Sequence, residues 1–397
     1  MERIVYLDNN ATTPLEDEVK QAIIESLELF GNASSMHQSG MRAKDAIDKA
    51  RFTIANFLNC KPDEIIFTGS GSEANNTVLN TIYCQKPSCN STTCNCVAKK
   101  NHIITSAFEH PSVLETLKVY EQNGFEVTYL PVGSSGIVDP ADVVKNIKNN
   151  TGLISIMFAN NEIGTIQPIE EIANIAKDHD IYMHTDAVQA IGKLPIDLQK
   201  LPVSFLSLSG HKLYAPKGIG ALYSRKGAEF CPLIRGGHHE QNRRAGTENT
   251  LGIVALGKAI EITARKMEAS NAEMFRLRNK LLQGLIEKIP HLFVNGDQHH
   301  CLPNTLNVTF EYIEGESILL YADFEGIAVS TGSACSTGSL DPSHVILALG
   351  VAHEHAHGSV RFSLGRQTTE DDIDYVLEKF PPVIERLRQM SPLYVKL

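Results

Sequence analysis

Six short motifs carry residues whose types could do chemistry together. Lys212 closes the apolar run in Ser207-Leu-Ser-Gly-His211-Lys212. An amine partly withdrawn from water there is more easily kept uncharged, and can form a Schiff base with a carbonyl. Asp186 ends another apolar run, in His184-Thr-Asp-Ala-Val-Gln189. A fixed carboxylate at such a place can keep a pyridine nitrogen protonated, as pyridoxal phosphate requires to act as an electron sink. A third run opens into Thr68-Gly-Ser-Gly-Ser-Glu-Ala-Asn-Asn76. Backbone N–H groups at the helix start near Ser72 suit one phosphate. The motif lacks the Lys-Ser/Thr end of a P-loop and the G-x-G-x-x-G spacing of a dinucleotide site. Glu109-His110-Pro111 follows a fourth run and offers an imidazole that can stack on a ring and move protons. Cys335 sits in Ser330-Thr-Gly-Ser-Ala-Cys335-Ser-Thr-Gly-Ser339, a stretch too small and flexible to pack a core. It reads as a nucleophile or a carrier with reach. Arg361, in Ser359-Val-Arg-Phe-Ser-Leu-Gly365, is suited to grip a substrate carboxylate with its planar fork.

Each motif also has an ordinary reading. Lys212 could be a snorkelling strand-end lysine, and Asp186 a helix N-cap. The glycine turn could be a plain strand–helix connection, His110 structural, and Arg361 half of an internal ion pair. The serine-rich run could be a linker with an incidental cysteine. Their conjunction, in strand-end order, points to a pyridoxal-phosphate site.

The elements that must position these residues alternate. Apolar or β-branched runs at Ile65–Thr68, Ile103–Ser106, Glu126–Val132, Leu153–Ala159, Ile181–Asp186, Val203–Ser209 and Ile219–Ser224 read as strands. Helix-like stretches at Ser72–Tyr83, Pro111–Gln122, Ala141–Asn149 and Pro168–Asp178 lie between them. This order predicts a mostly parallel sheet covered on both faces, with ligands beyond the carboxyl ends of its strands. After Leu251 the texture changes. A long helix, Ile260–Lys288, leads to strands at Thr305–Phe310, Ile327–Thr331 and Ser359–Gly365, with helices at Gly315–Phe324, Pro342–Leu349 and Glu370–Gln389. The expectation is an α/β large domain at 15–255 and a smaller α+β domain built from 1–14 and 256–397, which carries the Cys335 loop.

With 397 residues, 42% of them hydrophobic, the chain has material for more than one core. Its 36 basic against 46 acidic residues disfavour nucleic acid or an anionic membrane as partner. The charged N-terminus lacks an apolar signal core, and a cytoplasmic location is expected. In that compartment the cysteines are not expected to pair as disulfides.

The motifs together resemble the cysteine desulfurases of the NifS/IscS type. The likeness runs through Tyr6-Leu-Asp-Asn-Asn-Ala-Thr-Thr13, Gly31-Asn-Ala-Ser-Ser-Met-His37, Asn160-Asn-Glu-Ile-Gly-Thr165, Arg244-Ala-Gly-Thr-Glu-Asn249, Pro342-Ser-His344 and Arg361-Phe-Ser-Leu-Gly-Arg366, besides the motifs above. It implies a fold-type I pyridoxal-phosphate transferase with a seven-stranded sheet, working as a homodimer. It also implies conversion of L-cysteine to L-alanine, with the sulfur passing to Cys335 as a persulfide and then to an IscU/NifU-type iron–sulfur scaffold. By the same likeness Lys212 bonds the cofactor and moves the α-proton. Asp186 meets the pyridine nitrogen, and His110 stacks on the ring. Gln189 and Asn161 approach the ring oxygen and the substrate. Gly71, Ser72, Ser209 and His211 hold the phosphate, with Thr247 added from the partner subunit. Arg361 binds the substrate carboxylate, and Cys335 also serves as a ligand to a cluster shared with the scaffold.

Three features depart from the family pattern. Ser72 stands for the usual threonine, His238 and His239 replace part of a glycine-rich run, and the C-terminus is short. Cys84, Cys89, Cys94 and Cys96 form a C-x4-C-x4-C-x-C pattern outside that pattern. A metal or cluster site there stands beside the plainer reading of surface cysteines in an insertion. Competing functions are selenocysteine lysis, another pyridoxal-phosphate lyase or aminotransferase reaction, and a non-catalytic sulfur relay.

Overall fold

The computed structural model describes residues 3–83, 100–228, 231–331 and 341–394. Its centre is a seven-stranded sheet in the spatial order Ile65–Thr68, Gly220–Ser224, Phe205–Ser209, Tyr182–Asp186, Thr151–Ser155, His102–Ser106, Glu126–Leu130. Only Gly220–Ser224 runs against its neighbours, so the other six strands end on one edge.

The strands are buried on both faces, and their alternation sorts side chains between two cores. Ile65, Phe67, Ile104, Ile154, Leu206 and Ala221 enter one core. Their chain neighbours Ile66, Ile103, Leu153, Phe205 and Leu222 enter the other, beneath the helices Gly71–Tyr83 and Pro111–Gln122. This is why the strands read as continuous apolar runs. The runs overshoot strand ends: Leu153–Ala159 is a strand only to Ser155, and beyond it Met157 and Ala159 become cavity wall.

A three-stranded antiparallel sheet orders Ser359–Ser363, Thr305–Phe310 and Leu292–Val294. Its core gathers Leu306, Val308, Phe310, Val360 and Phe362 with Val5 and Leu7 from the chain start. One helix, Thr250–Lys288, serves both regions, and at 1.5 Å per residue it is about 58 Å long. Its first half buries Ile253, Leu256 and Ile260 in the large core, and its second half buries Leu277, Leu281 and Leu285 in the small one. It begins at Thr250 rather than Ile260, because Asn249 caps it by accepting from Gly252 N–H at 3.1 Å. The strand expected at Ile327–Thr331 is only Ile327–Ala328, paired with Val5–Tyr6. Helices Asp17–Ser26 and Gln38–Phe57 complete the layer around the large sheet.

No helix of the described residues is long and apolar enough to cross a membrane. Cys84, Cys89, Cys94, Cys96 and Cys335 lie outside the described residues. Among the described residues no cluster of histidines, cysteines and acids is arranged to hold a metal.

Candidate active site

Five of the six co-directed strand ends, all but that of Glu126–Leu130, open onto one cavity of about 430 Å³. Gly71, Ser72, His110, Asn161, Asp186, Gln189, Ser209, His211, Lys212 and Arg361 all line it. Every residue expected at the site within one subunit, among those described, is therefore brought together. Thr247 is exposed and does not line this cavity.

The turn after Thr68 is built for close approach. A Cβ at Gly71 would meet Val188 Cγ2 at 2.7 Å and Ser209 Cβ at 3.3 Å, so only glycine fits. Glu73 braces the turn by accepting from Gly69 N–H at 2.7 Å, and Arg244 donates to its other oxygen at 2.8 Å. Gly71 and Ser72 begin this helix and line the cavity, so its N-terminal turn borders the ligand space.

Asp186 is buried, and both its oxygens are occupied. Oδ2 accepts from Asn75 Nδ2 at 2.7 Å, and Oδ1 accepts from Val188 N–H at 3.0 Å. No helix starts directly after Asp186, so it is not an N-cap; its bond to Val188 N–H closes a turn while the carboxylate lines the cavity. His110 caps the helix Pro111–Gln122, its Nδ1 accepting from Ser112 N–H at 3.1 Å. That bond places the ring proton on Nε2. Burial lowers the pKa of His110, against a raising pull from Asp186. His211 is lowered to about 4 by burial, then by Lys212, Lys217 and His110. Both imidazoles are accordingly neutral at pH 7.

Lys212 Nζ donates to the carbonyls of Asn10 at 2.5 Å and Ala11 at 2.6 Å. These partners come from the chain start, and the sequence reading gave them no role. Asn10 is a junction. Its N–H reaches Ser363 Oγ, and its Nδ2 reaches Asn161 O at 3.1 Å and Thr305 Oγ1 at 2.9 Å. It thus ties the lysine to the small sheet. The only advance signal was its place in the quoted motif Tyr6–Thr13. Asn75, which lies in the Thr68–Asn76 motif but was given no role there, and Ser112 and Met157, which lie in no quoted motif, are further cavity residues.

Arg361 lies in a fully buried strand, and its fork is already engaged. Nη2 donates to Asp8 Oδ1 at 2.7 Å and Nη1 to Asn161 O at 3.0 Å, while buried Nε has no partner. The ion pair and the cavity position are both real.

Behind this wall Glu109 is entirely buried. Burial lifts its carboxyl to about 8, against the lowering hydrogen bonds from Ser106 and Met157 N–H. Both donors meet Oε1, and nothing donates to Oε2, so negative charge on the carboxyl is stabilised on one side only. His239 and His238 sit in a turn where Glu240, Gln241 and Asn242 all have positive φ (48°, 57° and 66°). The turn is held by the Arg51–Glu240 pair, by Glu240 accepting from Phe67 N–H at 3.0 Å, and by His239 Nδ1 accepting from Gly246 N–H at 3.2 Å. Here the two histidines fasten the backbone that glycines would otherwise relax.

A glycine-only phosphate cradle, a buried carboxylate and an amine converging on one cavity fit a phosphate-bearing pyridine aldehyde. The comparisons agree. The aminotransferase class-V family model matches residues 5–376. A cysteine desulfurase IscS of Methanosarcina thermophila is 51% identical over 395 residues, covering 99% of this chain and 95% of the relative. One from Dictyoglomus turgidum is 49% identical, covering 99% and 97%. The solved structure of a NifS-like protein superposes with a TM-score of 0.89 at 38% identity, covering 97% of this chain and all of that one. The structure of SspA in complex with cysteine superposes with a TM-score of 0.79 at 37% identity, covering 92% and 99%.

Proposed function

The chain belongs to the class-V aminotransferase family, and within it to the pyridoxal-phosphate-dependent cysteine desulfurases, and on that premise we propose that this cavity takes L-cysteine and that the sulfur leaves on Cys335 as a persulfide. The observation that carries the reading is the convergence of Lys212, Asp186, His110, the Gly71–Ser72 turn and Arg361 on one cavity. Pyridoxal phosphate, when bound, supplies an electron sink for charge developing on the substrate carbons. Gly71, Ser72, Ser209 and His211 would hold its phosphate, Asp186 the proton on its ring nitrogen, and His110 the ring face. Gln189 and Asn161 would face its ring oxygen and the substrate. Lys212 would hold it covalently.

Arg361 receives the substrate carboxylate with the N–H groups that Asp8 and Asn161 leave over. The Lys212 amine takes the α-proton and later returns a proton to carbon. The Cys335 thiolate attacks the substrate sulfur. The new S–S bond forms as the carbon–sulfur bond breaks, and the electron pair stays with carbon, which takes up a proton to become alanine. The sulfur leaves without its bonding pair, so no outside oxidant is needed. The persulfide then passes to an iron–sulfur scaffold of the IscU/NifU type, where Cys335 also touches the growing cluster.

The active unit is a homodimer, in which the exposed Thr247 of one subunit completes the phosphate site of the other. The chain divides at 15–255 against 1–14 with 256–397. The separate core around Val5, Leu7 and the three-stranded sheet supports that division.

The test is alanine release from L-cysteine with a reductant present. The wild type should turn over, and Cys335→Ala should release almost none. Equal turnover by both would remove Cys335 from the mechanism and favour a different pyridoxal-phosphate lyase.

A further inference from the structure

Lys212 has a second face. Away from the ligand cavity it borders a small internal cavity of about 20 Å³, room for roughly one water molecule. Lys193 and Arg366 line the same small cavity, and neither has a part in the chemistry above. No carboxylate lines it; Glu16 approaches Arg366 at 3.9 Å from outside.

Lys193 is also joined to Lys212 by hydrogen bonds. Its Nζ donates to Gln189 O at 3.1 Å and Gln189 Oε1 at 3.3 Å. Gln189 Nε2 donates to Asn10 O at 3.1 Å, the carbonyl that also accepts from Lys212 Nζ at 2.5 Å. The Lys193 contact orients the Gln189 carboxamide, with oxygen toward the cation and nitrogen toward Asn10. Two amines and a guanidinium around one small enclosed space repel one another's protons. Such groups titrate as a set, not singly. The direction of the pKa of Lys193 agrees: it falls to about 7, through burial first and then through Lys212 and Arg366. The other titratable or charged groups facing this set are Tyr214, in the wall of the small cavity under Arg366, Glu16 beside Arg366, and His110, His211, Asp186 and Arg361 on the ligand side.

We propose that Lys193 is a positioning residue for the reaction: its charge weakens the hold of the Lys212 nitrogen on a proton, and its ammonium sets the Gln189 carboxamide beside the cofactor. A neighbouring cation is a general way to keep a lysine unprotonated, and so nucleophilic, near neutrality. The inference rests on the reading of Lys212 as the cofactor's attachment point.

The test is spectroscopic. The visible absorbance of the Lys212–cofactor linkage in the holoenzyme is titrated with pH in the wild type, K193Q, K193R and R366Q. K193Q keeps polar contact with Gln189 but removes the charge. Its midpoint should rise by about one pH unit, with the acid limb of the alanine-release profile moving the same way. K193R keeps the charge and should stay near the wild-type midpoint. R366Q should shift upward as K193Q does, which keeps the test decisive if K193Q does not fold. An unmoved midpoint in a folded, cofactor-loaded K193Q or R366Q overturns the proposal. A shifted midpoint without alanine release would sink the desulfurase assignment and leave this inference standing. A wild type lacking the absorbance would sink the reading of Lys212, and this inference with it.

Discussion

The two walls of the cavity are made in different ways. One is the edge of the parallel sheet, where residues arrive singly from strand ends: Gly71 and Ser72 after Thr68, His110 after Ser106, Asp186 on its own strand, and Lys212 just past Ser209. The other is a side chain from the middle of an antiparallel strand in the small sheet, Arg361, held by Asp8 and by the Asn161 carbonyl. The first wall works because strands running one way must end together. The second works because two separately cored regions are docked, with Asn10 bonded to Thr305 on one side and to Asn161, Gln189 and Lys212 on the other. The first wall supplies the reacting groups, and the second supplies the grip.

That contrast can be tested by breaking each wall in turn. Lys212→Ala should have the largest effect: loss of the covalent cofactor absorbance and a fall in alanine release of roughly 1,000-fold or more. Retained turnover would place the reacting amine elsewhere. Asp186→Asn should retain the bond to Asn75's neighbourhood but not the charge, and kcat should fall on the order of 100-fold to 1,000-fold. For the gripping wall, Arg361→Lys should raise KM for cysteine by roughly 10-fold to 100-fold, with a smaller change in kcat, because the planar fork is lost. If kcat and not KM carried that loss, Arg361 would belong with the reacting groups.

Stability offers a finer probe of the first wall. Native Glu109 keeps its proton up to about 8, whereas an unfolded glutamate releases it near 4.5. Between those values the unfolded chain binds fewer protons, so stability falls as pH rises through the window. Glu109→Gln should flatten that fall, seen as a Tm that declines less between pH 5 and pH 8, by several degrees at the upper end. His184 adds the opposite slope at lower pH. Burial depresses it to about 4 between Ser155 and Ser207, so its share of stability is lost as pH falls from about 6.5 toward 4. The smallest effect is expected outside both walls. Gln241→Gly removes one left-handed residue at φ 57° and should raise stability by about 0.5 kcal/mol, strain relief being partly offset by unfolded-chain entropy.

Much of the first wall was legible in the sequence. Each of its residues follows an apolar run, and the sheet's doubly buried strands make those runs conspicuous. The runs blurred strand ends, since burial continues past the last ladder bond, as at Ile156 and Met157. The helix start at Thr250 was missed because its first turns are apolar and uncharged, while the charged pattern begins later. At Arg361 the residues alone left substrate ligand and ion pair open, and the structure makes the pair without taking the side chain out of the cavity. The departures at His238 and His239 gave no hint that three consecutive left-handed residues would follow.

By itself the sequence determined which groups are present and on which strand end each sits, because strand, turn and helix start are coded within a few neighbouring residues. It likewise marked Cys335 as a thiol on a stretch that cannot pack. Only the tertiary structure decided what those groups touch. Lys212 meets the Asn10 carbonyl 202 residues away, and Arg361 meets Asp8 across 353 residues. Lys193 came beside Lys212 only through Gln189 and a shared cavity. Contacts of that kind arise when cores dock and exclude water, and no local pattern of side chains encodes them.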